Sequence, residues 1–550
     1  MKNYILLILI IAMLGTGCKK MIDGPDHSTL STGSIFKSSR DLDNILYGAY
    51  GSLVNMNTFG NNYRVFPELL ADHVILNPLY TGGISEEDPY NQVFDRNLIQ
   101  AEYADNWRIS YTAIQNANTV IYAIENNLIT KEIDPEYTDV NRNKMLGEAY
   151  FIRGLCHFEL VRLYGKQYKF MTPPTPTSVN VPSPDNRLPN SGVILRTKPS
   201  INITKADDLI GQGRATVEET YQSVISDLKQ AEELLPTASI QGISIRRGRA
   251  TTFAASAILA RVYFQQNDFI NAKVAVAKVI GNEPGAITTS FVLTRTNAVG
   301  SIPTAAVAQT NVLNAFSSTG VNTTSTRPAE VIFDLVGTTV APISNAIKAK
   351  YGYVAGTTEP QLRLSNAFIT EANFNTSATQ GDGRFLRLIT RVAASGGQPV
   401  RNYSRKYDQA AMNIPLVRSA EMVLIRAEIN AMEASLLGNN SPQHVAALAD
   451  LIQIRSRAIA NNAEAYPTIA TINSTQILTE VRRERVRELA VEGDRFHNLR
   501  RLGALGVITN IPNGDRPAGT VIFPWNSNKL LFKIPDAEIK TSTNIIQNPD

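Results

Sequence analysis

Apolar residues recur at three- and four-residue spacing through most of this chain, and that period commits it to helices. In WRISYTAIQNANTVIYAIENN, Trp107, Tyr111, Ile114, Ala117, Asn118 and Ile121 fall on one face of a helix. NRNKMLGEAYFIRGLCHFELVRLYG, residues 141–165, repeats the pattern and stops at a glycine. The same spacing predicts helices over 217–235, 250–265, 269–280, 418–435, 444–458 and 476–492. They come as neighbours joined by short polar connections, the sequence form of helical hairpins. With 550 residues, 43% of them hydrophobic, the chain has enough apolar surface to bury a large helical frame.

One pair fits a repeat template. In SAILARVYFQQNDFINAKVAVAKVIGNEP, Leu259, Ala260, Tyr263, Phe269, Ala272 and Pro284 stand at tetratricopeptide spacing, with Val279 at the late small position. Ala260 and Ala272 let two helices approach closely, while Tyr263 and Phe269 fill the space between hairpins. Two stretches break the rhythm: 170–213, rich in Pro, Ser, Thr and Asn, and 285–417, with short apolar runs between Gly turns. Both read as loops with a few short strands laid on the frame, where binding residues concentrate.

The first residues are of another kind. Met1-Lys2-Asn3 is a short positive segment, and the apolar run from Tyr4 to Leu14 has signal-peptide length, too short to span a bilayer of roughly 30 Å. It ends in LGTGC, small residues leading to Cys18, the pattern that directs cleavage and lipid attachment at the cysteine. The expected division is a lipoprotein signal peptide at 1–17 and a lipidated tether at 18–39. One domain then covers 40–550, with scaffold at 40–165, 214–284 and 418–505, insertions at 170–213 and 285–417, and a tail at 506–550. Acyl chains, at ~0.8 kcal/mol per buried methylene, make a stable anchor. The other cysteine, Cys156, sits in an apolar helical pattern and reads as a small buried hydrophobe.

The stretch RRERVRELAVEGDRFHNLRRLG, from Arg482 to Gly503, carries seven arginines against four acids on what reads as one helix. A nucleic-acid stripe leaves its arginines unpaired, whereas acids are interleaved here and the whole chain carries a net charge of only +4. Val486, Leu489, Ala490, Gly493 and Phe496 make the packing stripe. Glu484 with Arg487, and Arg485 with Glu488, stand three apart, pairs that contribute ~0.2–0.5 kcal/mol at an exposed site. Catalytic signals are missing from the sequence: the five histidines are scattered, with no HExxH pair or metal-ligand spacing, and no nucleophile elbow, phosphate loop or dinucleotide fingerprint occurs. GDGRF, from Gly381, reads as a turn in which Asp382 caps a neighbouring segment. The expectation is a binding protein without catalytic residues, cofactor or metal.

Taken in order, the lipoprotein start at Cys18, W-x3-Y-x2-I-x2-AN, GEAYFIRGLCHFELVRLYG, ATTFAASAILARVYFQQNDFINA, RPAEVIF, GDGR with RKY, RSAEMVLIRAEI, IQIRSRA, ERVRELAVEGDRFHNLRRLG and LLFKIPDAEIKTSTNIIQNPD resemble the SusD/RagB family. These are surface lipoproteins of Bacteroidota that cover TonB-dependent transporters and capture nutrients, usually glycans. The resemblance implies an all-α fold of four tetratricopeptide-like helical hairpins in a right-handed superhelix, with the insertions as ligand face. It also implies a SusC-like TonB-dependent transporter as partner, attachment to the outer membrane at the cell surface through the lipid, and no nucleic-acid ligand. It assigns framework roles to Trp107, Tyr111, Asn118, Arg153 and Trp525, and structural ion pairs to Glu484, Arg487, Glu488, Glu492, Arg495 and Arg500. With both tryptophans so placed, a sugar platform falls to tyrosine or phenylalanine: Tyr80, Tyr90 and Phe94, or Tyr351 and Tyr353, with Asn61, Asn62 and Arg64 as hydrogen-bonding neighbours. The RagB branch takes peptides, so a peptide or other nutrient ligand stays open beside the glycan, and a lipid-anchored enzyme or plain helical-repeat scaffold is the third reading.

Overall fold

The computed structural model describes residues 36–55, 57–80, 101–178, 180–200, 212–237, 248–317, 327–337, 343–355, 359–379, 381–409, 412–460, 471–516, 521–542 and 544–549. Among them the chain runs α1 (Ser39–Val54), α2 (Asn62–Leu69), β1 (Val74–Leu76), α3 (Ala101–Glu125), α4 (Asp139–Tyr164), α5 (Val217–Leu234), α6 (Thr252–Gln266) and α7 (Phe269–Ile280). The central region holds α8 (Ala305–Asn314), β2 (Val331–Leu335), α9 (Ser344–Tyr351), β3 (Leu362–Leu364), α10 (Asn366–Ala372), α11 (Gly383–Leu388), β4 (Ile389–Val392), β5 (Arg401–Ser404) and β6 (Ile414–Arg418). Then follow α12 (Ser419–Leu437), α13 (Pro442–Ala458), α14 (Ile477–Leu489), α15 (Arg495–Ala504) and α16 (Asp536–Thr541).

The fold is mostly helical, as the periodicity requires. α1 packs on α3, α4 on α5, α6 on α7 and α12 on α13, and successive pairs meet through α3 with α4, α5 with α6, and α7 with α12. Side-chain caps start these helices where the pattern begins: Thr216 and Glu219 form a capping box on α5, and Thr251, Asp268 and Ser441 cap α6, α7 and α13. Asn267 turns the chain between α6 and α7 in the left-handed conformation, which asparagine tolerates. Ala260, Tyr263, Phe269, Ala272 and Val279 are all buried in one continuous core, and Cys156 lies in it with its thiol pushed up by burial. No helix among the described residues is long and apolar enough to cross a membrane.

The arginine-rich stretch departs from expectation in two ways. It is two helices, not one: the chain breaks between α14 and α15, with Val491 at φ 63° and Gly493 at φ 80°. A Cβ on Gly493 would stand 2.5 Å from the Tyr63 carbonyl oxygen, so only glycine lets this turn close on α2. Its charges are also inside rather than exposed. Glu484 and Arg487 pair at 2.8 Å with both side chains fully buried, while Arg485 pairs with Asp494 instead of Glu488. Glu488 takes Arg418 at 3.0 Å, Arg384 at 3.1 Å and also Arg457; Glu492 takes Arg418 at 2.6 Å and Lys406 at 2.8 Å. Arg495 grips Asp72 and Glu371 from α15. Arg500 is the exception, donating to the carbonyl oxygens of Arg162 and Gly165 rather than to a carboxylate.

Burial opposes ionisation of Glu484, but Arg384, Arg487 and Arg455 outweigh it and bring its carboxyl down to about 2. Burial is outweighed at Glu492 in the same way by Arg418 and Lys406, again to about 2. These folded-state values lie below the ordinary one, so the stabilisation is complete above the unfolded carboxyl's range and is lost as pH falls toward 2. Glu68 on α2 behaves oppositely. Burial first, then the charge of Asp494, push it up to about 8 from 4.5, while one of its oxygens accepts the Gly493 N–H at 2.9 Å. Below the unfolded value it is neutral in both states and costs nothing; between there and about 8, folding must keep the proton on. Glu68→Gln is therefore expected to raise unfolding free energy at pH 7 by up to about 3 kcal/mol and to change it little at pH 4. Urea denaturation at the two pH values checks this, and equal effects at both would refute it.

Candidate functional site

β1 and three strands of the central region make an antiparallel sheet in the order β1-β3-β5-β4. Alternation along β5 sends Arg401 and Tyr403 to one face, and the pairing of Leu364 with Asn402 sets Arg363 of β3 beside Tyr403. α9 ends at Gly352, and the next residue, Tyr353, lies flat on Tyr403 with ring centroids 4.9 Å apart and planes 11° from parallel. Tyr403 is thereby fully buried, whereas Tyr353 keeps part of its surface open.

Glu359 fixes this stack from beside it. It accepts the Tyr403 hydroxyl, the Asn77 amide at 3.2 Å and an ion pair from Arg401 at 3.4 Å. Burial and the Glu359 hydrogen bond push the Tyr403 phenol above its usual range, so it remains a donor. Asn77 ties β1 to the same loop by donating to Pro360 O at 2.8 Å, and Gln361 donates to the hydroxyl of half-buried Tyr80 at 3.4 Å. The result is an aromatic surface edged by arginine and amide groups on a braced sheet. Its carboxylate is already occupied by three donors.

Of the expected ligand residues, the structure brings Tyr80 and Tyr353 to this edge. Tyr351 is a correction: it ends α9 pointing into the core, 2% exposed, and presents no ring to solvent. Asn61, Asn62 and Arg64 are corrections too, each 3% exposed: Asn61 is the N-cap residue of α2, Asn62 and Arg64 lie within it, and α2 packs against α15. Arg64 donates to Tyr407 at 3.1 Å and to the Pro415 carbonyl. Cys18, Tyr90 and Phe94 lie outside the described residues. Tyr403, Arg363, Arg401 and Glu359 escaped notice in the sequence; the alternation in RNYS, within a Gly- and Ser-rich region, was the signal for a strand presenting an aromatic.

The framework residues cross-link remote parts of the chain. Trp107 packs between Tyr111 and Tyr164 at 4.8 and 5.0 Å and donates to Glu538 at 3.3 Å. Tyr111 donates to Ile194 O at 2.8 Å; Asn118 donates to Arg196 O and accepts from Arg153, both at 2.9 Å, and Arg153 grips Asp227. Trp525 lies against Gly503, where any Cβ would meet its ring at 2.1 Å. Asp382 caps α11 through the Arg384 N–H at 2.8 Å and holds the Arg384 guanidinium as well. Asp72, His73 and Glu371 bring metal-type ligand atoms within 4.8 Å of one another, but Arg495 bonds both carboxylates at 2.6 to 3.0 Å and is itself the cation there. Burial and the Arg495 charge hold His73 below its usual value, so it faces Glu371 as a neutral imidazole at neutral pH.

Residues 23–264 match a family model described as starch-binding associating with outer membrane, and residues 398–550 match that of the SusD family. SusD-like protein P2 of Formosa agariphila is 23% identical over 576 aligned positions, which take in 100% of this chain and 99% of that protein. A SusD superfamily crystal structure from Bacteroides thetaiotaomicron superposes with a TM-score of 0.68 at 22% identity, covering 93% of this chain and 100% of that one. A SusD-like carbohydrate binding protein from Bacteroides vulgatus gives a TM-score of 0.62 at 17% identity, covering 93% and 98%. Two family models at opposite ends, a full-length relative and a shared helical-repeat fold agree: the chain belongs to the SusD/RagB family.

Proposed function

We propose that this protein is a non-catalytic lipoprotein of the outer-membrane surface, anchored through Cys18, which captures saccharides and passes them to a SusC-like TonB-dependent transporter. The observation that carries the reading is the Tyr353–Tyr403 stack, a flat aromatic surface held on a rigid sheet and left partly open. A pyranose presents C–H groups to such a ring, whose face is negative, and the flanking amides and arginines supply hydrogen bonds to hydroxyls. Membership of a family whose model is described as starch-binding and outer-membrane-associated supports the same class of ligand.

A soluble form lacking residues 1–18 is expected to be retarded in affinity gels containing its polysaccharide and to release no products from it. A peptide panel run alongside decides the ligand class: retention by peptides alone would move the lid role to that chemistry. Release of shortened saccharides would overturn the non-catalytic reading.

A further inference from the structure

Most buried arginines of this protein are held by a carboxylate or a carbonyl, and the candidate site differs in that respect. Arg363 is half-buried in the middle strand pair of the sheet, opposite Ile75 of β1 and beside Tyr403, and has no ion pair or hydrogen bond among the described residues. Arg401, 8% exposed, has Glu359 on Nη1 at 3.4 Å, but its Nε has no partner. Glu359 is the one carboxylate placed among these groups among the described residues, and Asn77 and Tyr403 also draw on it. Among the described residues, the sheet beside the tyrosine stack therefore carries two guanidiniums against one engaged carboxylate, and the half-buried Arg363 has no protein partner. A guanidinium kept at a half-buried site without a counter-ion costs desolvation that an anionic ligand recovers.

We infer that the site selects an anionic saccharide: a sugar ring stacks on Tyr353 while its carboxylate or sulfate group is bound by Arg363, with the buried Arg401 behind it adding positive charge. Guanidinium suits this role because its planar fork matches a carboxylate or sulfate edge with two parallel hydrogen bonds. A neutral glucan leaves Arg363 unserved. The inference rests on the saccharide-capture reading and adds the charge of the ligand to it.

The test uses the soluble form lacking residues 1–18 with three length-matched probes: a neutral galacto-oligosaccharide, an oligogalacturonate and a sulfated galacto-oligosaccharide. Isothermal titration at low and high salt is expected to show at least one acidic probe binding about tenfold or more tighter than the neutral one, the advantage shrinking with salt. Whichever acidic probe binds identifies carboxylate or sulfate as the group recognised. Arg363→Gln should erase the advantage and Arg363→Lys should keep part of it, at unchanged melting temperature. Tyr353-dependent binding of the neutral probe at equal or better affinity would overturn the inference and leave saccharide capture standing. Equal weakening of neutral and acidic probes by Arg363→Gln would also overturn it. Binding of none of the three probes by a natively melting protein would overturn both.

Discussion

Glu488→Ala is expected to lower the unfolding free energy by about 3–5 kcal/mol, the cost of leaving buried charge uncompensated. Glu488 sits where α14, α11, β6 and α13 meet, and its carboxylate is shared by Arg384, Arg418 and Arg457. Around it the buried cations Arg384, Lys406, Arg418, Arg455, Arg457 and Arg487 are matched one for one by Asp382, Glu330, Glu480, Glu484, Glu488 and Glu492. Balance is what makes the cluster tolerable: removing one acid leaves a net positive charge among side chains with almost no access to water. A double variant, Glu488→Gln with Arg457→Met, removes one charge of each sign and should recover part of the loss, since buried pairs replaced together are often close to neutral. Guanidinium denaturation of the single and double variants measures both. A single variant within about 0.5 kcal/mol of the parent, the range of an ordinary surface change, would show that the cluster does not hold the scaffold together.

Tyr353→Ala should cost the protein at least about tenfold in saccharide affinity while leaving the scaffold intact. Among the described residues, Tyr353 is the part of the stack that stays partly exposed, since Tyr403 beneath it is fully buried. Its removal uncovers Tyr403 and loses one ring contact, a stability cost of about 0.5–1.5 kcal/mol, small beside the Glu488 effect. Tyr353→Phe keeps the platform and should bind nearly as the parent does. Tyr353→Leu keeps bulk without the π-face and should resemble the alanine variant. Titration calorimetry with the saccharide retained best in affinity gels gives the comparison, and equal affinity for the alanine variant would remove Tyr353 from the site.

The helical frame was legible because its signal is repetitive: each hairpin declares itself through many apolar positions, and caps such as Thr216 and Ser441 stand where the pattern starts. The sheet was not, since β1 and β3 are three residues long and their pairing partners lie hundreds of positions apart. Arg482 to Gly503 was recognisable as scaffold, but its charges read as surface pairs. Only the neighbouring elements, bringing Arg384, Arg418 and Arg457 to Glu488, reveal that this face of the helix is covered. The break at Val491–Gly493 carried a glycine as its one cue; the valine at positive φ sits where Lys406 and Tyr407 donate to the Ala490 and Val491 carbonyls and Gly493 closes on α2. Tyr353 was a candidate from its place in a loop-rich insertion, while its partner Tyr403 and the Glu359 brace are products of tertiary structure.

The most direct measurement is a crystal structure of the soluble form with the saccharide it binds. A sugar ring is expected parallel to Tyr353 at about 4 Å from it, with the ring's substituents reaching toward Arg363. A saccharide bound on the helical scaffold, with Tyr353 bare, would contradict it.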